Sequence, residues 1–163
     1  MNLIAAVDRN WGIGKDGKLL FSLPGDMRYF VKMTTGKVVV MGRKTFASFP
    51  GQRPLKNRIN VVLSNNPDFH PDGVTVVNGY DALFAALKHY DTRDVFVIGG
   101  ASVYNALLPY CDTAYITHVE AEAQADSYLC NLQTLGNWKC TEASAPHSDN
   151  GIFYTFHCYR RQA

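Results

Sequence analysis

Asp26 is the first residue whose surroundings suggest chemistry. It lies in Leu23-Pro24-Gly25-Asp26-Met27-Arg28-Tyr29-Phe30, where helical spacing puts it on one face with Phe30 and beside Met27, with Met33 continuing the stripe. A carboxylate in an apolar stripe is costly to bury without a partner. It is either an N-terminal acid favoured by the helix dipole, or an acid that takes two parallel N–H bonds from a cationic or amidine-like heterocycle in an apolar pocket.

A second chemistry is written twice. Val38-Val39-Val40-Met41-Gly42-Arg43-Lys44-Thr45 and Val95-Phe96-Val97-Ile98-Gly99-Gly100-Ala101-Ser102 each read strand, glycine, helix start. Glycine lets backbone N–H groups approach a phosphate, and a helix N-terminus supplies free donors with a partial positive charge. Two such junctions in one short α/β chain point to a dinucleotide held at both ends of one cleft. The pattern is not the usual Rossmann one, because G-x-G-x-x-G does not follow the first strand. Arg43 and Lys44 oppose the dipole of the helix they open. That placement is explained if a 2′-phosphate sits there, with Ser64 and Asn65 adding hydrogen bonds; otherwise the segment is a solvated basic turn.

The elements that position these residues follow from pattern. Leu3–Asp8 reads as a buried first strand, and Gly12, Gly14 and Gly17 open a polar loop after it. Pro24–Thr35 reads as a helix, with Pro near its start and Gly36 beyond its end. Lys37–Met41, Ile59–Leu63, Val74–Val77 and Asp94–Ile98 read as strands, Tyr80–Tyr90 and Ser102–Leu108 as helices. Thr113–Val119, Trp138–Ala143 and Phe153–Arg160 then read as strands without intervening helices. Strand–helix alternation followed by antiparallel strands predicts a mixed α/β sheet with helices on both faces, in one domain over 1–163.

Composition narrows the classes. At 163 residues, 47% apolar and 18% charged, the chain can bury a core and is not of disordered composition. A net charge of +2 is too balanced for a dedicated nucleic-acid binder. The longest apolar runs are too short to span a bilayer, and no export signal is visible, so no membrane association and a cytoplasmic location are expected. Cys111, Cys130, Cys140 and Cys158 lie far apart in sequence, without metal-ligand spacing, so reduced thiols and no metal are expected.

The ordered set Ile13-Gly14, Lys18-Leu19-Leu20-Phe21-Ser22-Leu23-Pro24-Gly25-Asp26, Met41-Gly42-Arg43-Lys44-Thr45-Phe46, Arg53-Pro54-Leu55, Arg58, Ile98-Gly99-Gly100 and Tyr115-Ile116-Thr117-His118 resembles bacterial dihydrofolate reductases over about residues 1–160. The resemblance implies a central eight-stranded mixed sheet, mostly parallel with an antiparallel C-terminal strand, flanked by helices. It also implies NADPH-dependent reduction of 7,8-dihydrofolate to tetrahydrofolate by a monomer. By the same resemblance, Asp26 and the Thr117 hydroxyl linked to it are the catalytic pair. Ile4, Ala5, Ala6, Leu19, Leu20, Met27, Phe30, Phe49, Leu55 and Ile98 surround the substrate rings, and Arg58 clamps the substrate's α-carboxylate. Ala6, Ile13 and Gly14 flank the nicotinamide, and Ile98 also borders the cofactor. Gly42, Arg43, Lys44, Thr45, Leu63, Ser64, Asn65, Gly99, Gly100, Ala101, Ser102, Val103 and Tyr104 take the rest of the cofactor. Gly12–Phe21 matches a mobile loop that excludes water.

Three departures from the family pattern fall in loops. Leu20-Phe21 replaces Pro-Trp, Ala125-Asp126 replaces Gly-Asp, and Leu129-Cys130 replaces Phe-Pro. Two rival readings share part of the evidence. A pyrimidine reductase of riboflavin synthesis would share fold and cofactor without pairing Asp26 and Arg58 in this way. A non-catalytic nucleotide-binding module would need only the glycine turns.

Overall fold

The valine-rich runs form the middle of the sheet in the computed structural model, which describes residues 1–163. In chain order the elements are β1 (Asn2–Val7), β2 (Gly12–Lys15), β3 (Lys18–Leu19), α1 (Pro24–Thr34), β4 (Val38–Gly42), α2 (Arg43–Ala47), β5 (Ile59–Leu63) and β6 (Val74–Val77). There follow α3 (Tyr80–Leu87), β7 (Val95–Gly99), α4 (Ala101–Leu107), β8 (Thr113–Val119), β9 (Ser127–Tyr128), β10 (Trp138–Ala143), β11 (His147–Asp149) and β12 (Ile152–Arg161). Eight strands lie in the order β10-β12-β8-β1-β7-β4-β5-β6, and β11 folds back on β12 as a hairpin. The pairs from β8 to β6 are parallel, whereas β12 runs antiparallel to both β8 and β10. This is the mixed sheet expected from the sequence.

Strand periodicity divides the core between two faces. Val38 and Val40 face a cluster that includes Leu83 and Leu87 of α3 and Val103 and Leu107 of α4. Val39 and Met41, the alternate residues, face Phe46 of α2 together with Tyr29 and Met33 of α1. Continuous apolar runs such as Val38–Met41 are therefore buried on both sides.

The glycine-rich stretch after β1 departs from the expected loop. β2 pairs with β3 and with β9 to make a small second sheet. Three glycines and two lysines in Gly12–Lys18 conceal that pairing, because they carry no alternation of apolar and polar side chains. Asp8 anchors the base of this sheet. It is buried, its Oδ1 accepts from the backbone N–H groups of Asn10 and Gly12 at 2.9 and 2.8 Å, and its Oδ2 accepts from that of Ala123 at 3.0 Å. The helix expected over Tyr80–Tyr90 ends at Leu87, where the last buried apolar residue of its stripe lies. β10 carries a bulge between Cys140 and Glu142.

One face of β8 and β12 holds a polar cluster around Trp11. His118 Nε2 lies 2.8 Å from the Tyr159 hydroxyl, and its ring stands edge-on to Trp11 at 5.2 Å and 4.3 Å from that of His157. Burial, and then the neighbouring His157, push the His118 imidazole down to about 4. An unfolded imidazole titrates near ~6.5, so the neutral ring favours the fold. That contribution is complete above about 6.5 and is lost as pH falls through the depressed value. Solvent screening at this half-buried site brings it to about 1–2 kcal/mol. The urea midpoint of His118→Gln should therefore fall less than the parent's between pH 7 and pH 4. Parallel pH profiles would show that the imidazole does not carry this dependence.

Candidate active site

The site begins where the sheet comes apart. β1 pairs with β8 along Asn2–Val7 but with β7 only at Asn2–Phe96 and Leu3–Val97. Beyond Leu3 the two strands separate, and the Tyr104 hydroxyl reaches across to donate to the Ile4 carbonyl at 2.7 Å. The gap opens into a cleft of ≈ 1680 Å³, larger than the ~300–1,000 Å³ of an ordinary single-ligand site. Ile4, Ala5 and Ala6 of β1 and Ile98 of β7 line it, together with Ile13 and Gly14 of β2, Leu19 of β3 and Leu20.

At one end Asp26 occupies the first turn of α1, which opens with Pro24. Thr117, buried on β8 opposite Ala6, donates its hydroxyl to Asp26 Oδ1 at 2.6 Å. Burial pushes the Asp26 carboxyl above its ordinary range; the Thr117 hydrogen bond draws it back, and the negative charge of Asp149 pushes it further up. Met27, Phe30, Phe49 and Leu55 add apolar surface to the same cleft. A carboxylate with one oxygen satisfied and an open apolar pocket before it suits a flat heterocycle bearing adjacent N–H donors.

Arg58 lies at the rim of the same pocket, its guanidinium carbon 5.8 Å from the centre of the Phe30 ring. Asn60 shapes the turn that carries it. The Asn60 side chain accepts from the Leu55 N–H and donates to the Leu55 and Arg58 carbonyls, all within 3.0–3.2 Å. Burial lowers the Arg58 guanidinium, and its Nε is buried without a partner. A planar fork with an unspent donor at the mouth of a pocket is suited to a carboxylate.

The opposite end is built by the two glycine turns. β4 and β7 are adjacent, with Met41 beside Gly99, so the turns at their C-terminal ends face each other. A Cβ on Gly42 would come within 3.3 Å of Val103, and one on Gly99, whose φ is 120°, within 3.1 Å of the Tyr104 ring. No side chain caps α2 or α4, which leaves their first N–H groups free. Thr45, Ala101 and Ser102 border these helix starts, and Leu63, Ser64 and Asn65 lie alongside. Arg43 and Lys44 are exposed, with no acid in the first turn of α2. The ion pairs of the molecule, Arg9–Glu120, Lys37–Asp94 and Arg93–Asp91, leave both cations unpaired.

Comparison with known proteins follows the same outline. Residues 1–161 match the family described as Dihydrofolate reductase. The chain belongs to the dihydrofolate reductase family. It is 40% identical over 154 residues to the type 3 dihydrofolate reductase of Salmonella typhimurium, covering 94% of this chain and 92% of that one. To the dihydrofolate reductase of Bacillus subtilis (strain 168) it is 37% identical over 164 residues, covering 99% and 95%. The structure of the Enterococcus faecalis dihydrofolate reductase complexed with NADP(H) and RAB-propyl superposes with a TM-score of 0.88 at 32% identity, covering 99% of this chain and 96% of that one.

The catalytic, substrate and cofactor residues named from the dihydrofolate reductase resemblance all border this one cleft. Asn66, Gly79, Tyr80 and Asp126, which the sequence did not mark as ligand-binding residues, also line it. Asp126 is held by the small sheet: its N–H donates to the Gly14 carbonyl at 3.0 Å, and its Oδ2 accepts from the Asp16 N–H at 2.9 Å. The three departures are absorbed locally. Phe21 packs against Leu23, Val119 and Tyr154; Ala125 meets Gly12 at a place where a Cβ would clash; Leu129 is buried and bonds the Trp11 carbonyl.

The Thr117–Asp26 bond yields a direct test. Replacing Thr117 by Val removes the donor from a partly buried anion, which costs about 1–3 kcal/mol. Thermal denaturation should show that loss at pH 7, where Asp26 needs its partner as a carboxylate. At about pH 3 the acid is protonated and the loss should shrink. An equal loss at both values would assign it to packing alone.

Proposed function

We propose that this protein reduces 7,8-dihydrofolate to 5,6,7,8-tetrahydrofolate with NADPH, supplying reduced folate for one-carbon metabolism. The observation that carries the reading is one cleft with a hydroxyl-bonded acid in an apolar pocket at one end and two facing glycine turns beside unpaired cations at the other. The residues present suit the cofactor. At Gly42 and Gly99 a Cβ would fill the space against Val103 and Tyr104, and the helix starts beyond them offer uncapped donors. Arg43, Lys44 and Ser64 would hold a 2′-phosphate, Gly99–Tyr104 and Thr45 the pyrophosphate and adenosine, and Ala6, Ile13 and Gly14 the nicotinamide end. NADPH supplies hydride when bound.

The protein's own residues carry out binding, orientation and proton control. Asp26 takes two N–H groups of the pterin and, as an anion, raises the basicity of the ring nitrogen beside the carbon to be reduced. Thr117 fixes the orientation of that carboxylate. A water admitted past Gly12–Phe21 delivers the proton to the nitrogen, since the family's geometry puts Asp26 on the far side of the ring. Assistance of this kind contributes about 10²–10⁴-fold. Arg58 holds the α-carboxylate of the substrate tail, and Phe30, Phe49 and Leu55 pack against its aromatic ring. Pairing Asp26 with Arg58 around one cleft favours a folate over the pyrimidine of riboflavin synthesis, and an acid in an apolar pocket has no use in a module that only holds nucleotide. No helix is long and apolar enough to cross a membrane. From its resemblance to bacterial dihydrofolate reductases we read the protein as a cytoplasmic monomer.

Two measurements test this reading. Replacing Arg43 and Lys44 by Ala should weaken NADPH binding by on the order of a hundredfold while hardly changing NADH, because two charge-assisted contacts are lost. Fluorescence titration of each cofactor decides it, and equal losses would move the cations away from the 2′-phosphate. Asp26→Asn should fold, bind NADPH like the parent and reduce dihydrofolate at least about 10²-fold more slowly at neutral pH. Its rate should climb on acidification, because substrate already protonated in solution no longer needs the anion. Full activity at pH 7, or a flat pH profile in single-turnover hydride transfer, would contradict the assignment.

A further inference from the structure

Beside Asp26 in the fold, and not among the residues lining the cleft, stands a second carboxylate. Asp149 ends β11, and its Oδ2 accepts the Gly25 N–H at 2.8 Å and the Tyr154 hydroxyl at 2.7 Å. Gly25 immediately precedes Asp26 in the first turn of α1, so the bond satisfies one of the free donors of that helix from 124 residues away in sequence. The fit is close. A Cβ on Gly25 would overlap the Tyr154 hydroxyl and come 3.0 Å from Asp149 Oδ2. Tyr154 is buried, and its ring packs in a small cluster with Leu23 and Val119.

We propose that Asp149 is a positioning residue for the Asp26 carboxylate, locking the first turn of α1 onto the β11–β12 hairpin and placing a second negative charge near the acid. The proposal rests on the reading of Asp26 given above. Two consequences follow from the geometry. The clamp fixes where the first turn of α1 begins, and therefore where Asp26 projects relative to Thr117. The charge, meanwhile, disfavours ionisation of Asp26, in the same direction as burial.

The groups facing Asp149 are few. Tyr154 and the Gly25 N–H stabilise its anion, and Arg28 and His147 act in the same direction from α1 and from β11 itself. Asp149 is accordingly held below the ordinary carboxylate range, and Tyr154, buried and bonded to an anion, is pushed up to about 12. Asp149 thus remains charged over the range in which Asp26 titrates.

Because one oxygen takes both hydrogen bonds, charge and clamp can be separated. The carbonyl oxygen of Asp149→Asn can accept from Gly25 and Tyr154 without the charge, whereas Asp149→Ala removes both. The decisive measurement is the Asp26 titration midpoint, followed by carboxyl carbon NMR in the ligand-free protein, and so independent of turnover. In Asp149→Asn this midpoint should fall by about 0.3–1 pH unit, the effect of removing a screened like charge. The acid limb of hydride transfer should move down with it. In Asp149→Ala the midpoint should also fall, and in addition KM for dihydrofolate should rise several-fold as the helix start loosens, a rise absent from Asp149→Asn.

An unchanged Asp26 midpoint in Asp149→Asn would overturn the electrostatic role, and equal KM in all three proteins would overturn the positioning role. Should Asp149→Asn not fold, Asp149→Ser, which keeps a neutral acceptor, is titrated in its place and read by the same criterion. If the parent did not reduce dihydrofolate, the function proposed above would fail. The NMR midpoint would still decide whether Asp149 tunes Asp26.

Discussion

The parting of β1 from β7 is the constraint around which the molecule is organised. A parallel sheet of this composition would ordinarily bond along its whole length and leave no room between strands. Here two residue pairs hold the strands together at Asn2 and Leu3, and the remaining length of β1 is committed to β8 alone. Backbone groups released by that parting need partners, and the Ile4 carbonyl finds one in the Tyr104 hydroxyl. The two faces of the sheet are closed by different helices, so the opening gains access to both: α1 brings an acid from one side, and α4 brings an uncapped N-terminus from the other. Placing the two ligand ends in one cleft is a consequence of sheet geometry before it is a matter of any single side chain.

The acid is then set by competing influences. Burial pushes its carboxyl up; the Thr117 hydroxyl draws it back down, and the charge of Asp149 on the β11–β12 hairpin pushes it up again. Each influence comes from a different strand of the C-terminal half, β8 for Thr117 and β11 for Asp149. Those strands carry no part of the glycine turns. The two glycine turns are built from β4, β7 and the helices after them, and the surroundings of the acid from the strands added at the other side of β1.

Much of this was legible in the sequence. The apolar runs at Val38–Met41 and Val95–Ile98 announce buried parallel strands, and the glycines after them announce the turns, because strand period and glycine freedom are local properties. Asp26 stands out since a charge in an apolar stripe violates the pattern around it. What stayed hidden depends on long-range contact. β2, β3 and β9 are two to four residues long and held by backbone bonds and by Asp8 and Asp126, so no side-chain periodicity marks them. Asp149 lies in a polar turn indistinguishable from any other until the hairpin is seen against α1. Thr117 and Arg58 likewise carried no local signal; only resemblance to a family placed them.

The two outer strands of the sheet have a consequence for how the molecule meets its neighbours. An open sheet exposes rows of unpaired donors and acceptors at its margins, which invite further strands to add. At one margin β6 is only four residues long. At the other, β10 is almost wholly exposed, carries Lys139 and Glu142, and is broken by its bulge after Cys140. A strand approaching that margin would find register on one side of the bulge and lose it on the other. The irregularity that looks like a fault in the ladder thus acts as a stop, ending the sheet where the chain ends it and discouraging fibrous growth from the edge.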